Sequence, residues 1–296
     1  MSAISFPEPA VAVEVSEHAQ PRPRRWYRQP SLASGAILLA IIVFAAVAAP
    51  LLTPYNPIKQ NLSGNASLLG PSAHHLLGTD QLGRDTFTRL LYGLRMDLRI
   101  AFIAVLAPFC IGVVLGSIAG YFGGWVDSVL MRLVDIVVAF PFYVLIIALV
   151  FVLGPGQRSI YIAITLVGWV SYARIIRGEI LVAKRQEYVL AARSAGLSAV
   201  RIMARHLLPN VITQAIIYAM SDIVQDILAI VTLGYFGLGV PPPTADLGSM
   251  INDGQNFLPT SHWQLTTFPG LAVVVVGLSL SLIGDGLADL IRPGQS

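Results

Sequence analysis

The chain has 296 residues, of which 55% are hydrophobic and 12% are charged, and its formal net charge is +3 at pH 7. Soluble domains carry about 25% charged residues, so this composition indicates a membrane protein, and the small net charge does not favour nucleic acid as a partner. A helix needs about 20 apolar residues to cross the hydrocarbon core of a bilayer. Six segments meet or approach that length, in chain order 32–52, 100–120, 136–154, 159–173, 211–240 and 268–283.

These segments predict an all-α membrane protein with six transmembrane helices. Residues 1–31 are polar and rich in proline, which predicts a disordered, basic cytoplasmic arm, and residues 32–53 are expected to form the first transmembrane helix. Residues 54–99 are expected to form an extracytoplasmic segment with an amphipathic helix. Residues 100–292 would then form a core of five helices with a cytoplasmic loop at 179–210.

The distribution of basic residues sets the expected orientation, because lysine and arginine concentrate on the cytoplasmic side. Four arginines precede the first span and seven basic residues lie in 174–205, whereas the loop 241–268 has none. Both termini are therefore expected in the cytoplasm, with the loop 241–268 outside. The segment 53–99 runs against this pattern, since it is placed outside yet carries five basic and three acidic residues.

Gly112, Gly116 and Gly120 recur at every fourth residue of the second span. This spacing predicts a flat stripe on which another helix packs closely. The neighbour is expected to be a helix of the same bundle or of a partner subunit. The alternative is that glycine is simply frequent in membrane helices.

Two carboxylates lie well inside the fifth span. Asp222 and Asp226 are four residues apart and share one helical face, with Gln225 adjacent. Charges within spans are costly and usually face a cavity or a partner, so these three residues are candidates for lining a polar pathway, with a position near a membrane boundary as the alternative. Arg132 and Asp135 directly precede the uncharged segment 136–154, and we expect a boundary position for them and pairing within their own helix.

Residues 187–210, EYVLAARSAGLSAVRIMARHLLPN, form a basic, water-compatible insert between two apolar segments. The pattern predicts two short helices. Gly196 would end the first in a left-handed cap, Ser198 would cap the second, and Pro209 fits the first turn of the following span. A mechanical coupling element and an ordinary amphipathic surface helix both fit this pattern.

The sequence contains no catalytic constellation. It has no HExxH or CxxC pair and no GxxxxGK[ST] loop, so it lacks the usual means of cradling ATP phosphates. His74 and His75 are adjacent on a loop, where two neighbouring residues rarely bind a metal alone, so no metal site is expected. We therefore expect a chain that is not an enzyme and holds no cofactor of its own.

Three segments resemble the permeases of the dipeptide, oligopeptide and nickel branch of bacterial ABC importers, and in particular the second permease of the pair. They are HHLLGTDQLGRDTFTRLLYGLRMDLRI at 74–100, YVLAARSAGLSAVRIMARHLLPN at 188–210, and LGYFGLGVPPPTADLGSMINDG at 233–254 with FPG at 268–270 and GDGLADLIRP at 284–293. The resemblance covers about residues 32–293. Three positions depart from the branch: Leu190 replaces the glutamate that names the EAA motif, His206 replaces an isoleucine, and LIRP at 290–293 replaces the usual LDP ending.

The resemblance implies a type I ABC importer permease fold and the role of translocation subunit in an ATP-driven importer of peptides or related small solutes. It implies a bacterial inner-membrane location beside membrane lipid, with a second permease, one or two ATPase subunits that hold ATP and Mg²⁺, and an external substrate-binding protein as partners. The residues it places at the ATPase are Glu187, Ala191, Ala192, Gly196, Leu208 and Pro209.

An ion-coupled secondary transporter that uses Asp222 and Asp226 as a proton relay is the alternative function. Inverted repeats would favour it, and none is apparent. A membrane-embedded hydrolase would need a nucleophile and a base inside the spans, and no such pair stands out. The three-segment resemblance favours the importer, and it implies that an external binding protein does most of the selecting among solutes.

Overall fold

The computed structural model describes residues 29–62 and 66–291, and the predicted arm 1–31 lies outside this part except for its last three residues. The described residues fold into helices joined by loops. In chain order the helices are α1 (Pro30–Val47), α2 (Ala49–Leu52), α3 (Thr86–Ala104), α4 (Leu106–Phe122), α5 (Gly124–Val138), α6 (Phe142–Leu153), α7 (Gln157–Ala183), α8 (Glu187–Ser194), α9 (Ala199–Ile202), α10 (Leu208–Tyr235), α11 (Leu247–Gly254) and α12 (Gln264–Ile291). A π-helical turn, Met203–Leu207, joins α9 to α10, and a 3-10 turn, Gln255–Phe257, follows α11.

Within residues 29–62 and 66–291, five helical stretches are long and apolar enough to cross a bilayer. They are Pro30–Val47, Thr86–Phe122, Gln157–Ala183, Ala199–Tyr235 and Gln264–Leu290. A sixth span results when α5 and α6 are counted together, although these two helices meet at 84°. The prediction of an all-α membrane protein with six spans is therefore confirmed over the described residues.

The second span begins earlier than the sequence analysis places it. Asp85 starts α3 by accepting a 2.7 Å hydrogen bond from the backbone N–H of Thr88, which satisfies one of the open donors of the first turn. The helix then runs through the expected boundary at residue 100 and joins α4 at Val105. Neither glycine nor proline occurs between residues 94 and 107, so nothing ends the helix where the sequence changes from polar to apolar.

The third predicted span, 136–154, is not one continuous helix. It is split between α5 and α6, and the chain bends by 84° at residues 139–141. Pro141 accounts for the break, because proline lacks the N–H that a helix interior requires and disfavours helical geometry at Phe140 before it. The bend leaves a concave surface on the side that faces α7 and α10.

The later spans also end elsewhere than predicted. α7 continues past residue 173 to Ala183, and α12 extends beyond 268–283 at both ends. α10 stops at Tyr235, short of residue 240, since Gly237 adopts φ +74° and Leu238 donates a 2.8 Å hydrogen bond to the carbonyl of Leu233. This left-handed termination is the usual role of a glycine after a helix.

The helices of the core approach one another through glycines. A Cβ added at Gly35 of α1 would lie 2.8 Å from the Cβ of Leu282 on α12, and one added at Gly112 of α4 would lie 2.4 Å from the carbonyl oxygen of Trp169 on α7. Small residues at such positions allow backbones to pack closely in a membrane. The α4–α7 pair and α10 together hold the buried side chains that form the candidate site.

Candidate functional site

The segment 187–210 contains one separate short helix, α8, rather than two. We call α8 the lateral helix, because it is not part of any candidate membrane span. α8 forms as expected, but the second short helix is not separate. α9 continues through the π-helical turn into α10, which gives one helix from Ala199 to Tyr235. Only a short turn, residues 195–198, separates α8 from this long helix.

α8 presents one face to the helical core and another to solvent. Val189 and Ala192 are buried against the core, whereas Glu187, Ala191 and Gly196 are exposed. The resemblance places Ala192 at an ATPase, but in the structure this residue lies on the inner face of α8. The exposed three form a surface that a partner can reach.

Gly196 ends α8 with φ +77°, as the sequence predicts. Its N–H donates to the carbonyl of Arg193 at 3.0 Å, and the N–H of Leu197 donates to the carbonyl of Ala192 at 3.2 Å. These two bonds form a Schellman motif, which requires a left-handed residue at this position. Ser198 takes the N-cap position of α9, but its side chain makes no capping hydrogen bond.

Leu208 and Pro209 form the first turn of α10, where the sequence predicts the proline. Pro209 is exposed and Leu208 is partly buried. The side-chain amide of Asn210 donates a 2.7 Å hydrogen bond to the carbonyl of His206, so the turn before the proline is held to the helix that follows it.

Two arginines of α7 pair with carboxylates of α5. Arg177 makes a two-point ion pair with Asp127, with 2.6 Å between Nη2 and Oδ2, and Arg174 donates a 2.9 Å hydrogen bond to Asp135. The expected pairing of Asp135 with Arg132 is therefore wrong. Arg174 lies one residue past the predicted end of this span, and because α7 continues to Ala183 it offers the carboxylate a partner from another helix.

The glycine stripe of α4 lies against α7. A Cβ added at Gly112, Gly116 or Gly120 would lie 2.4–2.8 Å from an atom of α7, which is closer than real Cβ contacts occur. The neighbour of this stripe is thus a helix of the same chain, three elements further on.

Asp222 and Asp226 lie on the buried face of α10, where they are 3% and 1% exposed. The hydroxyl of Tyr172 on α7 donates a 2.7 Å hydrogen bond to Oδ2 of Asp222. The ring of Tyr172 is held edge-on between Phe109 and Tyr218. Oδ2 of Asp226 has no hydrogen-bond partner within residues 29–62 and 66–291.

A crevice of about 280 Å³ lies between the α5–α6 bend, α7 and α10. Its polar lining consists of Ser171, Tyr218, Asp222 and Gln225, and apolar side chains form the remainder. The structure thus brings two of the three candidate pathway residues to one cavity, and it places Asp226 one helical turn further along α10. A polar strip in an apolar crevice suits passage of a polar solute.

A buried charge network that involves residues 80–89 was not predicted. Oδ2 of Asp80 lies 2.6 Å from Nε of Arg84 and 3.5 Å from Nε of Arg89. Arg84 also lies 3.9 Å from Asp253 of α11, which joins the two parts of the chain. Burial raises the pKa of Asp253, and the charges of Arg89 and Arg84 oppose that shift. The alternation of acidic and basic residues in 80–89 is the sequence signal that could have indicated this network.

The start of α11 is fixed by two carboxylates. Asp246 accepts a 2.8 Å hydrogen bond from the N–H of Ser249, and Asp97 of α3 accepts a 3.0 Å bond from the N–H of Leu247. Burial raises the pKa of Asp246, while the hydrogen bonds from Ser249 and the charge of Arg89 oppose the rise. The loop before α11 is therefore held against α3 by buried polar contacts.

Two histidines make contacts within or to the segment 53–99. Nδ1 of His75 lies 2.9 Å from Oδ1 of Asp85, and its ring lies 4.7 Å from that of Tyr55. Nε2 of His262 lies 2.6 Å from the carbonyl oxygen of Leu68, which ties this segment to the loop before α12. Among the described residues, no group of three or more metal-ligating side chains occurs.

The fold, the lateral helix and the polar crevice together define a transport permease. Residues 112–296 match the family described as the binding-protein-dependent transport system inner membrane component, and the chain belongs to this family. Residues 24–71 match the N-terminal transmembrane domain of oligopeptide transport permease C. The chain is therefore a multi-pass membrane protein with a type I ABC importer permease fold, and an ion-coupled carrier built on Asp222 and Asp226 is not favoured.

The chain is similar to several curated permeases over most of its length. The dipeptide transport system permease protein DppC of Bacillus subtilis is 37% identical over 270 residues, which cover 91% of this chain and 84% of the relative. DppC of Haemophilus influenzae is 36% identical, with 88% and 89% covered. The oligopeptide transport system permease protein OppC of Bacillus subtilis is 38% identical, with 88% and 84% covered. The resemblance drawn from the three segments is confirmed.

A solved structure shares the fold. A chain of the MetNI methionine ABC transporter in inward-facing conformations superposes with a TM-score of 0.57 at 17% identity, covering 69% of this chain and 97% of the other. At that identity the likeness concerns the fold alone.

Proposed function

We propose that this chain is one of two permease subunits of an ATP-driven importer for peptides or related small solutes in the bacterial inner membrane. The observation that carries the proposal is the 36–38% identity, over 88% or more of the chain, to permeases named for dipeptide and oligopeptide transport. The chain supplies the passage and no catalysis. One or two partner ATPases hold ATP and Mg²⁺, and an external binding protein delivers the solute to the loop 241–268. Both termini lie in the cytoplasm.

The exposed face of α8 meets the ATPase in this proposal. Glu187, Ala191 and Gly196 form the contact, and Ala192 holds α8 on the permease from the inner face. Leu208 and Pro209 pass the movement into the fifth span. Because the helix is continuous from Ala199, at 1.5 Å per residue it reaches Asp222 about 35 Å away. A rigid helix of this length transmits a displacement of α8 to the crevice, as rigid-body switches require.

The crevice lined by Asp222 and Gln225 forms part of the passage, with Asp226 next along the same helix. The second permease supplies the facing wall. Polar side chains from α7 and α10 offer hydrogen bonds to the backbone amides of a passing peptide, while the apolar remainder binds nothing strongly. Weak, distributed contacts suit a passage that must release its solute.

Co-purification followed by reconstitution tests the proposal. The tagged chain is co-expressed with its genomic neighbours, isolated in mild detergent and analysed by mass spectrometry, and the complex is placed in proteoliposomes with a labelled dipeptide. We expect a second six-span permease and Walker-motif ATPases in the complex, and uptake that requires ATP and the binding protein. Recovery of the chain without an ATPase, with uptake driven by a proton gradient, would overturn the proposal.

A further inference from the structure

A basic groove of about 340 Å³ lies between the end of α4, the end of α7 and α8. Its lining consists of Tyr121, Lys184, Arg185, Leu190 and Arg193. Three of these five residues are cationic and none is acidic. None of them belongs to the set that we place against the ATPase, so the groove is a separate feature of the α8 region.

Two of the three cations of the groove, Lys184 and Arg193, are held in position by contacts with α4. Nζ of Lys184 donates a 2.7 Å hydrogen bond to the carbonyl of Gly120, which leaves two of its three hydrogens free. The guanidinium of Arg193 lies 5.7 Å from the centre of the Tyr121 ring, within the range of a cation–π contact. Arg193 therefore points back toward α4 rather than away from it.

These charges are not neutralised by nearby carboxylates. Within the described part of the chain, neither Arg185 nor Arg193 forms an ion pair. Asp127 lies close enough to Lys184 to sense its charge, but both carboxylate oxygens of Asp127 already accept from Arg177. The groove is left with an excess of hydrogen-bond donors and positive charge.

A phosphate group is the anion that such a groove suits best. Two guanidinium groups and an ammonium supply charge-assisted hydrogen bonds, and the planar fork of arginine matches phosphate oxygens in pairs. Basic pockets at the ends of transmembrane helices bind lipid headgroups in this way.

The surroundings of the groove indicate a lipid as the source of the phosphate. The groove lies where two spans, α4 and α7, end. Phe122, the last residue of α4, and Trp125, in the first turn of α5, are 55% and 78% exposed, as aromatic residues at a membrane–water interface are. Leu190 adds an apolar wall beside the cations. We propose that the basic groove binds the phosphate of an anionic phospholipid headgroup and so ties α8 to the membrane end of α4 and α7.

The test measures lipid binding to the full-length chain in the complex with which it purifies. The delipidated complex in detergent is titrated with dioleoylphosphatidylglycerol or dioleoylphosphatidylcholine, and bound lipid is counted by native mass spectrometry. The variant Arg185→Gln with Arg193→Gln removes two groove charges. The matched control, Arg201→Gln with Arg205→Gln, removes two exposed charges from the same segment outside the groove.

We expect the wild-type complex to bind phosphatidylglycerol in preference to phosphatidylcholine. Loss of two groove cations should weaken phosphatidylglycerol binding roughly 30-fold, at about fivefold per charge, and the control should change it less than about threefold. If both double variants lose phosphatidylglycerol binding to the same extent, the binding depends on the overall charge of the segment and not on the groove, and the proposed site is wrong. Equal binding of the two lipids would overturn it as well.

A competition arm separates lipid from free phosphate. If about 10 mM inorganic phosphate displaces phosphatidylglycerol, the ligand is a soluble phosphate and the lipid assignment is wrong; undiminished lipid binding supports it. A photoactivatable phosphatidylglycerol applied to the wild-type complex serves where a variant fails to fold. Cross-links confined to Tyr121 and residues 184–193 support the groove, and cross-links only elsewhere contradict it.

Discussion

The hydroxyl of Tyr172 on α7 donates a 2.7 Å hydrogen bond to the carboxylate of Asp222 on α10, fifty residues further along the chain, and both side chains are buried. This bond joins α7, which packs on α4, to α10, which follows α8 and α9 in the chain. Removing the hydroxyl leaves a buried carboxylate without that donor, which costs about 1–3 kcal/mol.

We therefore expect Tyr172→Phe to lower the melting temperature of the detergent-solubilised permease clearly. Tyr161→Phe is the matched control, because the Tyr161 hydroxyl makes its 2.7 Å bond with Gln157 at a partly exposed position where water can replace it. Thermal unfolding followed by light scattering or tryptophan fluorescence measures both. Equal melting temperatures would show that the buried bond contributes nothing.

Substitutions at Asp222 distinguish a passive polar lining from a proton relay. Asp222→Asn keeps the size and the hydrogen-bond acceptor for Tyr172, so ATP-driven uptake should stay within about threefold of wild type. Asp222→Leu removes the polar group from the crevice and should reduce uptake about tenfold or more, since an apolar side chain also leaves the Tyr172 hydroxyl unpaired. Uptake is measured in proteoliposomes with a labelled dipeptide. Abolished uptake in the asparagine variant would favour proton transfer by this carboxylate.

Gly196→Val should abolish transport while leaving the chain in the membrane. A β-branched residue at φ +77° costs about 1–2 kcal/mol, and relief of that strain would open the Schellman motif and tilt α8. Ala195→Val is the control, because this neighbouring exposed residue has φ −75° and tolerates a side chain. Labelled-peptide uptake and membrane-fraction abundance are both recorded. Wild-type uptake by the Gly196 variant would contradict the coupling role of α8.

Gly116→Ala should destabilise the α4–α7 pair. Its Cβ would lie 2.5 Å from the carbonyl oxygen of Ala173, so the helices must separate, and overpacking of this kind costs about 1–3 kcal/mol. Gly178→Ala on α7 is the control, since nothing lies within 4 Å of its added Cβ and alanine favours helix by about 1 kcal/mol. The melting temperature should fall in the first variant and rise or hold in the second. A fall in neither would refute the close packing.

The loop before α11, which contains Asp246, should gain stability as the pH falls. Burial raises the pKa of Asp246 above its ordinary value of 3.8 in spite of the bonds from Ser249. Its contribution to stability is therefore fully present below about pH 4 and is lost as the pH rises through the folded-state pKa. Asp246→Asn retains an N-cap acceptor and should melt at or above the wild-type temperature at pH 7, with the difference vanishing toward pH 4. A difference in melting temperature that does not change with pH would contradict the raised pKa of Asp246.

The features that could be predicted from the sequence are local ones. The left-handed cap at Gly196 and the helix start at Pro209 depend on the conformations that single residues allow, so they could be predicted without knowledge of the fold. The break at Pro141 was missed because the residues around it are uniformly apolar, and hydropathy does not report a bend. The start of the second span was missed because polarity changes near residue 100 while helix propensity does not.

Contacts between distant parts of the chain could not be predicted. The pairing of Asp135 with Arg174, rather than with its neighbour Arg132, depends on how α5 lies along α7. The link from Arg84 to Asp253 likewise joins residues that only the fold brings together. Periodicity defines which face of a helix is polar, but it does not define which helix that face will meet.

The packing of α4 on α7 has a consequence for the order of events during synthesis. At about 5–20 residues per second, the stretch from Gly116 to Ala173 takes about 3–11 s to make. For that interval the glycine face of α4 has no α7 to receive it, and lipid or the insertion machinery must cover it. The joint between these helices therefore forms only after the segment containing α5 and α6 has been made.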